Sequence, residues 1–352
     1  MYKSIIRPIL FRMNPEKAHD LVLKGLRIMR RIPGAGAVMR MLYKKKPAPQ
    51  LARRVFGIDF PHPVGLAAGL DKNATCYNEL SWCGFSFIEV GSFTPEAQPG
   101  NPAPRLFRLP ADQALINRMG LGNEGVDKAV ERIGKDRPEV LLAGSIAKNT
   151  GSESEEEIRR DYLRCFSTLY DFVDFLTVNV SCPNVEGLQR LQGAGYLPAL
   201  VDPLLEMRMG CDTYKPLLIK VSPDIEKEEL DGLIHYCRLS GVDGLIVGNT
   251  TRSREGLKTP AETLEKIGKG GLSGAPLFEK NLALVRYIHE KTQGGLPIIG
   301  VGGINTPQRA QRMLDAGASL IEIYTGFIYE GPAFVHKILK HLNAAAEGGK
   351  KQ

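Results

Sequence analysis

The feature that most constrains this chain is a regular alternation of short apolar runs with helical patterns between residues 64 and 342. The helical patterns are clearest at 155–170, 227–239, 307–316 and 332–342. Buried strands that alternate with helices predict a parallel sheet, and eight strands are enough to close a barrel. The runs with the length and composition of buried strands are 64–67, 85–90, 141–146, 175–180, 216–221, 244–247, 297–301 and 320–324. We therefore predict an α/β fold, a (β/α)8 TIM barrel, with a small N-terminal helical extension.

An open doubly wound sheet is the alternative with the same order of elements. The first strand is not followed by the Gly-x-Gly-x-x-Gly motif that would support that fold. Residues 53–60 have the pattern of a β-hairpin, which would close the bottom of a barrel. Lys220 and Glu322 lie within apolar runs, where a sealed core would disfavour their charges, and positions near strand ends would accommodate them.

The basic charge of the chain is concentrated in its first fifty residues. These carry 12 Lys and Arg and two acidic residues, a net charge of +10, whereas the remainder of the chain has a net charge of −3. A protein that wraps nucleic acid would spread basic charge over its body. We therefore expect no nucleic-acid partner, and the separate basic extension favours an anionic surface.

The N-terminal extension is predicted to contain two helices. Asn14 followed by Pro15 marks a helix start, because asparagine caps free N–H groups and proline fits the first helical position. Apolar residues then recur at 18, 21, 22, 26, 29 and 32, and a second apolar segment, 38–43, leads into the basic, proline-containing linker 44–49. Two interpretations remain open: helices packed on the barrel with a solvated basic face, or a hairpin that lies in a membrane interface.

The cysteines and the hydrophobic profile indicate the cellular compartment. Six cysteines are scattered without a Cys-x-x-Cys pair or a metal-ligand spacing, a pattern that indicates reduced thiols and predicts no metal site. No apolar run approaches the roughly 20 residues of a spanning helix. The N-terminus also lacks the apolar block of a signal peptide. We expect a protein that is kept inside the cell.

Polar residues follow the predicted strands, at the end of the barrel where enzymes of this fold place their sites. Asn179, Lys220 and Asn249 are examples, and each alone would also suit an ordinary turn. Gly303 and Gly326 follow the last two strands, where backbone N–H groups commonly bind a phosphate. The amides suit a flat heterocycle with carbonyl and N–H edges, and a lysine can hold the negative charge of a reduced flavin. A phosphate-bearing cofactor is therefore expected.

Eight motifs, in order and over nearly the whole chain, carry a resemblance to a known family. They are AAGLDK (67–72), PRLFRL (104–109), INRMG (116–120), NVSCPN (179–184), GNTT (248–251), GGLSG (270–274), GVGGI (300–304) and IYTGF (323–327). Together they resemble dihydroorotate dehydrogenase. The N-terminal segment NPEKAH (14–19) resembles the helix of the membrane-associated class that uses quinone.

The resemblance implies bound FMN and the oxidation of (S)-dihydroorotate to orotate, with a quinone as electron acceptor, in pyrimidine biosynthesis. It implies that Cys182 removes a proton from C5 and that a hydride passes from C6 to flavin N5. The FMN contacts it implies are Ala68, Gly69, Lys72, Ser92, Asn179, Lys220, Thr250, Gly274, Gly303, Tyr324 and Thr325. The substrate contacts are Lys72, Asn117, Asn184, Asn249 and Thr250. The quinone would enter near His19, Arg108 and Tyr324.

The same resemblance divides the chain into two expected domains. Residues 1–46 would form an amphipathic helical domain for membrane and quinone access, and residues 47–352 the FMN-binding catalytic barrel. The expected partners are dihydroorotate and orotate, a quinone and an anionic membrane surface. The expected protein is a monomer or a weak homo-oligomer, peripheral on the cytoplasmic side of the cell inner membrane.

Three positions depart from the quinone-using class. That class usually has serine at position 182 and phenylalanine at position 121, whereas Cys182 and Leu121 are more like the soluble class; Ser145 stands where asparagine is common. One alternative is therefore a soluble-type dehydrogenase that uses fumarate or NAD. Another is a flavin-dependent tRNA-dihydrouridine synthase with Cys182 as its acid, which the acidic body of the chain disfavours. A third alternative, a non-catalytic scaffold, predicts a colourless protein.

Overall fold

A computed structural model describes residues 2–181 and 195–348 of the chain. The strands are β1 (Arg53–Val55), β2 (Ile58–Phe60), β3 (Val64–Leu66), β4 (Phe87–Phe93), β5 (Leu106–Leu109), β6 (Ala114–Asn117), β7 (Leu141–Ile146), β8 (Phe175–Asn179), β9 (Leu217–Val221), β10 (Gly244–Val247), β11 (Gly271–Gly274), β12 (Ile298–Val301) and β13 (Leu320–Ile323). The helices are α1 (Arg7–Arg12), α2 (Pro15–Arg30), α3 (Ala35–Tyr43), α4 (Tyr77–Ser81), α5 (Val126–Lys135), α6 (Glu155–Leu169), α7 (Leu197–Met209), α8 (Lys227–Ser240), α9 (Ala261–Ile267), α10 (Phe278–Thr292), α11 (Pro307–Asp315), α12 (Thr325–Glu330) and α13 (Phe334–Gly348).

The predicted barrel is confirmed. Eight parallel strands close in the order β3, β4, β7, β8, β9, β10, β12 and β13, with β13 paired to β3. Seven of them start and end within one residue of the predicted runs. The exception is β4, which reaches Phe93 because it pairs with β7 beyond Val90 through a shift of register. Burial on both faces explains why the runs are continuously apolar.

The bottom of the barrel is closed by the predicted hairpin. Strands β1 and β2 pair antiparallel, and Val55 and Phe60 are buried in the cluster of side chains inside the barrel. The Phe60 ring lies 5.3 Å from the Phe87 ring and 6.3 Å from the Phe175 ring, centroid to centroid. Edge-to-face packing of this kind fills the lower layer with aromatic side chains. The polar residues of the interior therefore lie above this layer.

A small antiparallel sheet was not predicted. Strands β5, β6 and β11 pair in the order β11, β6, β5, and β11 comes more than 150 residues after β6 in the chain. Each strand has only four residues, and pairing between distant segments leaves no local pattern to detect. This sheet contributes Leu106, Leu115, Asn117, Ser273 and Gly274 to the lining of the main cavity.

Some apolar side chains of the N-terminal helices pack against the barrel, and others are exposed. Asn14 caps α2 as predicted, since its side-chain oxygen accepts from Glu16 N at 3.0 Å and Lys17 N at 3.2 Å. Ala18 is buried and Leu26 packs against the barrel core. The apolar side chains of this region that are largely exposed are Ile5, Ile6, Ile9, Leu21, Val22, Ile28, Ile32, Val38, Met41 and Leu42. Within the described residues, no helix combines the length and apolar character that crossing a membrane requires.

Candidate active site

The carboxyl ends of the barrel strands open into a deep cavity. It encloses about 1330 Å³ of empty space, its opening to solvent included. All eleven residues predicted to contact FMN line it, and so do Asn117 and Asn249 of the predicted substrate set. Glu16 and His19 of α2 line the same cavity. One continuous space therefore reaches from the barrel interior to the N-terminal helices.

Cys182 and Asn184 lie outside the described residues. Arg108 is described, but it does not belong to the cavity lining. Its guanidinium donates to Met13 O at 2.7 Å and lies 4.7 Å from the centre of the Phe11 ring. It therefore fastens the segment between α1 and α2 to β5.

A chain of hydrogen bonds links the ends of four barrel strands. Asn179 Nδ2 donates to Ser92 Oγ at 2.8 Å, and Ser92 Oγ and Ser145 Oγ share a hydrogen bond of 2.7 Å. On the other side, Asn249 Nδ2 donates to Ser181 Oγ at 2.9 Å and approaches Asn179 Oδ1 at 3.5 Å. Each side chain has its orientation fixed by its neighbour, which prepares a site for a polar ligand. Ser145, noted as a departure from the family pattern, belongs to this chain.

The loop after β3 carries Lys72 and is held by a buried carboxylate. Asp71 accepts from Thr75 N at 2.8 Å and from Cys76 N at 2.6 Å. Burial raises the pKa of Asp71, and these hydrogen bonds to its ionised form oppose the rise. The turn is thereby fixed, and Lys72 is presented to the cavity.

Beneath the amides, the barrel interior holds three ionisable side chains. Lys220 Nζ of β9 donates to Glu89 Oε2 of β4 at 2.7 Å and lies 3.8 Å from Glu322 Oε2 of β13. All three are buried. Burial alone would lower the pKa of Lys220, but the two carboxyl groups raise it above its usual value. Burial and the charge of Glu89 raise the pKa of Glu322 well above its usual range, and Lys220 opposes them.

The glycines after β12 are required by their own loop. Gly302 has φ +110°, and a Cβ there would lie 2.1 Å from Asn281 Nδ2. Gly303 has φ +71°, and a Cβ there would lie 2.5 Å from Phe278 Cα. Both positions combine a left-handed backbone with contact against α10, so a side chain is excluded at either. The loop can consequently turn its backbone toward the cavity.

Two titratable side chains of the lining are kept neutral. Burial and the charge of Lys72 lower the pKa of His19 to about 4. Burial raises the pKa of Tyr324 to about 12, and its hydroxyl donates to Gly69 O at 3.3 Å. These two side chains therefore present neutral groups to the cavity at physiological pH.

Comparisons with known proteins agree with this geometry. A family model described as dihydroorotate dehydrogenase matches residues 50–345. The chain belongs to the dihydroorotate dehydrogenase family. A protein from Christiangramia forsetii named dihydroorotate dehydrogenase (quinone) is 46% identical over 338 residues, covering 96% of this chain and 97% of that protein. One of the same name from Idiomarina loihiensis is 43% identical, covering 96% and 99%. The structure described as ligand-free type DHODH from Eimeria tenella has a TM-score of 0.86 at 33% identity, covering 95% of this chain and 96% of that one.

Dihydroorotate dehydrogenases are flavin enzymes, and the cavity has groups that suit a flavin. The Gly303 loop, Gly274 and the hydroxyl of Thr325 line one side, where N–H and O–H groups suit a phosphate. Asn179 and Lys220 line another side, where an amide and an ammonium suit the edge of a polar ring. Glu322 adds two carboxyl oxygens that have no hydrogen bond within the described residues. The donor set therefore fits a phosphate-bearing flat heterocycle.

Sequence reasoning missed two parts of this dihydroorotate dehydrogenase site. Glu89 stands inside an apolar run, and its position near a strand end was the signal that could have drawn attention to it. The lining from β5 and the start of β6 was also missed, because the small sheet was not predicted.

Proposed function

We propose that this chain oxidises (S)-dihydroorotate to orotate in pyrimidine biosynthesis and passes the electrons to a quinone. The observation that carries the proposal is the single cavity that joins the polar strand ends to His19 and Glu16 of α2. A substrate held at the strand ends and an apolar acceptor that enters past α2 would share one redox centre. The relatives named as quinone enzymes support this choice of acceptor.

We propose FMN as the flavin. Its phosphate would lie against Gly274, Gly303 and Thr325, and its ring against Asn179, Lys220 and Thr250. Further contacts would come from Ala68, Gly69, Lys72, Ser92 and Tyr324. When bound, the flavin supplies a two-electron acceptor for the oxidation. The ammonium of Lys220 would balance the negative charge that reduction places on the ring.

The substrate would bind through Lys72, Asn117, Asn249, Thr250 and Asn184. Dihydroorotate carries a carboxylate and amide edges, which an ammonium group and carboxamides recognise by charge and by hydrogen bonds. Asn249 has its side-chain oxygen fixed by Thr250 N at 2.8 Å and its nitrogen by Ser181. A side chain held in this way loses little entropy when the substrate binds.

Cys182 is proposed as the base that removes the C5 proton. A carbon acid beside a carbonyl needs a base within hydrogen-bond reach, and a thiol of pKa about 8.5 can serve once its surroundings adjust it. Ser181, next to it in the chain, is held by Asn249 and Asn179. The hydrogen-bond chain would thus position the start of the segment that carries the base.

The N-terminal helices are proposed to form a peripheral membrane domain, residues 1–46, on the cytoplasmic side of the cell inner membrane. Basic side chains and exposed apolar side chains occur together in this region, the combination that binds an anionic lipid surface. A lipid-soluble acceptor could then reach the cavity past His19 and Tyr324 without crossing water.

The acceptor profile tests the proposed function. Purified protein should be yellow, dihydroorotate should bleach it without oxygen, and a ubiquinone or menaquinone analogue should restore the colour. Fumarate and NAD serve as matched acceptors in the same assay. Turnover with fumarate or NAD and none with quinone would replace this proposal with the soluble type of dehydrogenase, which Cys182 and Leu121 resemble.

A further inference from the structure

The three ionisable groups inside the barrel do not balance in charge if all are ionised. Glu89 and Lys220 form a close pair at 2.7 Å, and Glu89 Oε2 also accepts from Ala68 N at 2.9 Å. Glu322 lies 3.8 Å from Lys220 and has no hydrogen bond to another described residue. A second buried carboxylate beside one ammonium would leave an uncompensated negative charge, which is costly in a medium of low polarity.

Among the described residues, Lys220 is the cation that acts on Glu322. The neighbouring strands β12 and β3 place Val301 and Gly65 beside it, and neither is titratable. The charged groups that face it are Glu89 and Lys220. The other titratable side chains that line the cavity are Glu16, His19, Lys72 and Tyr324. Burial and the charge of Glu89 raise the pKa of Glu322, and Lys220 opposes them.

Glu322 also faces the ligand. It lines the cavity together with Lys220, whereas Glu89 does not. The arrangement thus has a close pair, Glu89 and Lys220, whose nitrogen reaches the cavity, and a separate carboxyl group on the cavity side. A neutral Glu322 leaves one carboxylate balanced by one ammonium, and an ionised Glu322 would add a net negative charge beside the cavity.

We propose that Glu322 is a positioning residue that holds a proton on its carboxyl group in the resting protein and so keeps the group of Glu89, Lys220 and Glu322 free of net negative charge beside the flavin. This inference rests on the proposed function, because it concerns the charge that the flavin meets. Glu322 would act on the flavin through the net charge of this group, in which Lys220 is the cation.

The balance of protons and electrons gives a measurable consequence. With a flavin bound, oxidation of dihydroorotate would supply it with two electrons and one proton, a gain of one negative charge, and the C5 proton would leave through the base. While Glu322 is protonated, the reduction requires nothing further from it. Above the pH at which Glu322 ionises, reduction draws one additional proton from solvent to its carboxylate. Above that pH, the flavin midpoint potential should fall by about a further 30 mV for each tenfold decrease in proton concentration, because one more proton accompanies the two electrons.

The experiment compares the full-length flavin-bound protein with Glu322→Gln, and uses the exposed Glu262→Gln as a matched control. Infrared spectra should contain a carbonyl band of a buried carboxylic acid at neutral pH, which Glu322→Gln removes and Glu262→Gln retains. Potentiometric titration against pH should show the steeper slope in the parent protein, beginning where that band disappears. The Glu322→Gln variant should keep one slope throughout.

Two results would overturn the inference. One is a parent protein without the carboxylic-acid band at neutral pH; the other is the same dependence of midpoint on pH in the parent and Glu322→Gln over the range in which both stay folded. If Glu322→Gln fails to fold, the band and the slope of the parent protein still decide. A protein with no flavin that dihydroorotate can reduce would overturn the proposed function as well, so the two failures are distinct.

Discussion

The barrel interior and the N-terminal helices both depart from the usual distribution of side chains in proteins. The barrel buries charged groups, and the helices expose apolar ones. The barrel buries Glu89 and Glu322 completely and leaves Lys220 only 5% exposed. The helices leave Met41 66% exposed and Ile9 58% exposed. Charged residues are ordinarily on the surface, and large apolar patches are ordinarily covered.

The difference shows which part of a dihydroorotate dehydrogenase each region would serve. Glu89 and Lys220 are paired inside the protein, and their attraction offsets part of the cost of burying the two charges. The exposed apolar side chains have no such internal partner in the described chain and suit an external apolar surface. The barrel would therefore perform the oxidation of dihydroorotate, and the helices would supply the acceptor. The following predictions test that division.

The largest effect is expected from deleting residues 1–46. Quinone reduction should fall to background, because His19 and Glu16 of the cavity lining are removed together with the exposed apolar side chains. Bleaching of the flavin by dihydroorotate should persist, since the strand ends are unchanged. Stopped-flow spectroscopy separates the two half-reactions. A truncated protein that reduces quinone at the full rate would show that the helices do not supply the acceptor.

Cys182→Ala should have the complementary effect. Loss of a general base typically lowers a rate by about 10²–10⁴-fold, so bleaching by dihydroorotate should slow by that factor while flavin stays bound. Chemically reduced enzyme should still pass electrons to quinone at the parent rate. The Cys182→Ser variant is the matched control, and it should retain activity that rises at higher pH than in the parent. Near-parent bleaching by Cys182→Ala at neutral pH would remove Cys182 from the mechanism.

Lys220→Met tests the buried pair through stability. Removing the cation leaves Glu89 buried without its partner, and breaking a buried ion pair in this way costs about 3–5 kcal/mol of the free energy of unfolding. Urea unfolding of the flavin-free proteins measures it without the effect of ligand binding. Lys266→Met is the matched control, because its pair with Glu262 is largely exposed and should change little. Equal stabilities of the two variants would contradict the interior pairing.

The fold and much of the cavity lining were predictable because they depend on local patterns and on a rule of the fold. Asn179 and Lys220 lie near the ends of apolar runs, and in a parallel barrel all such strand ends meet. The pairing of Lys220 with Glu89 was not predictable, because the two lie 131 residues apart and no local pattern relates them. The α2 helix gives a second example: periodicity identifies an apolar face, but only packing decides that Leu26 contacts the barrel while Leu21 stays exposed.

Leu42→Glu tests the exposed surface of the helices. Burial of one leucine contributes about 1.5–3 kcal/mol, so binding to vesicles that contain anionic lipid should weaken by about 10- to 100-fold. Co-sedimentation measures the change. Leu239→Glu on α8 is the matched control, because Leu239 is 75% exposed on the barrel and should not contact the lipid. An equal loss in both variants would mean that the lipid-binding surface is not confined to the N-terminal helices.

The effect that is absent at neutral pH and develops only in acid concerns two histidines, one in each region. His19 of α2 and His62 before β3 both have a pKa lowered to about 4, chiefly by burial. His62 is additionally fixed as a neutral ring, because Nδ1 accepts from Val64 N and Nε2 donates to Gly84 O.

In the unfolded chain each of these two histidines would titrate near pH 6.5. The unfolded state therefore binds more protons between about pH 6.5 and 4, so the free energy of unfolding should fall as pH decreases through that window and stay flat above it. His19→Gln and His62→Gln should each reduce this acid sensitivity in urea unfolding, and NMR should find both parent rings neutral at pH 6. A His19 ring that titrates near 6.5 would show that α2 leaves this ring in water.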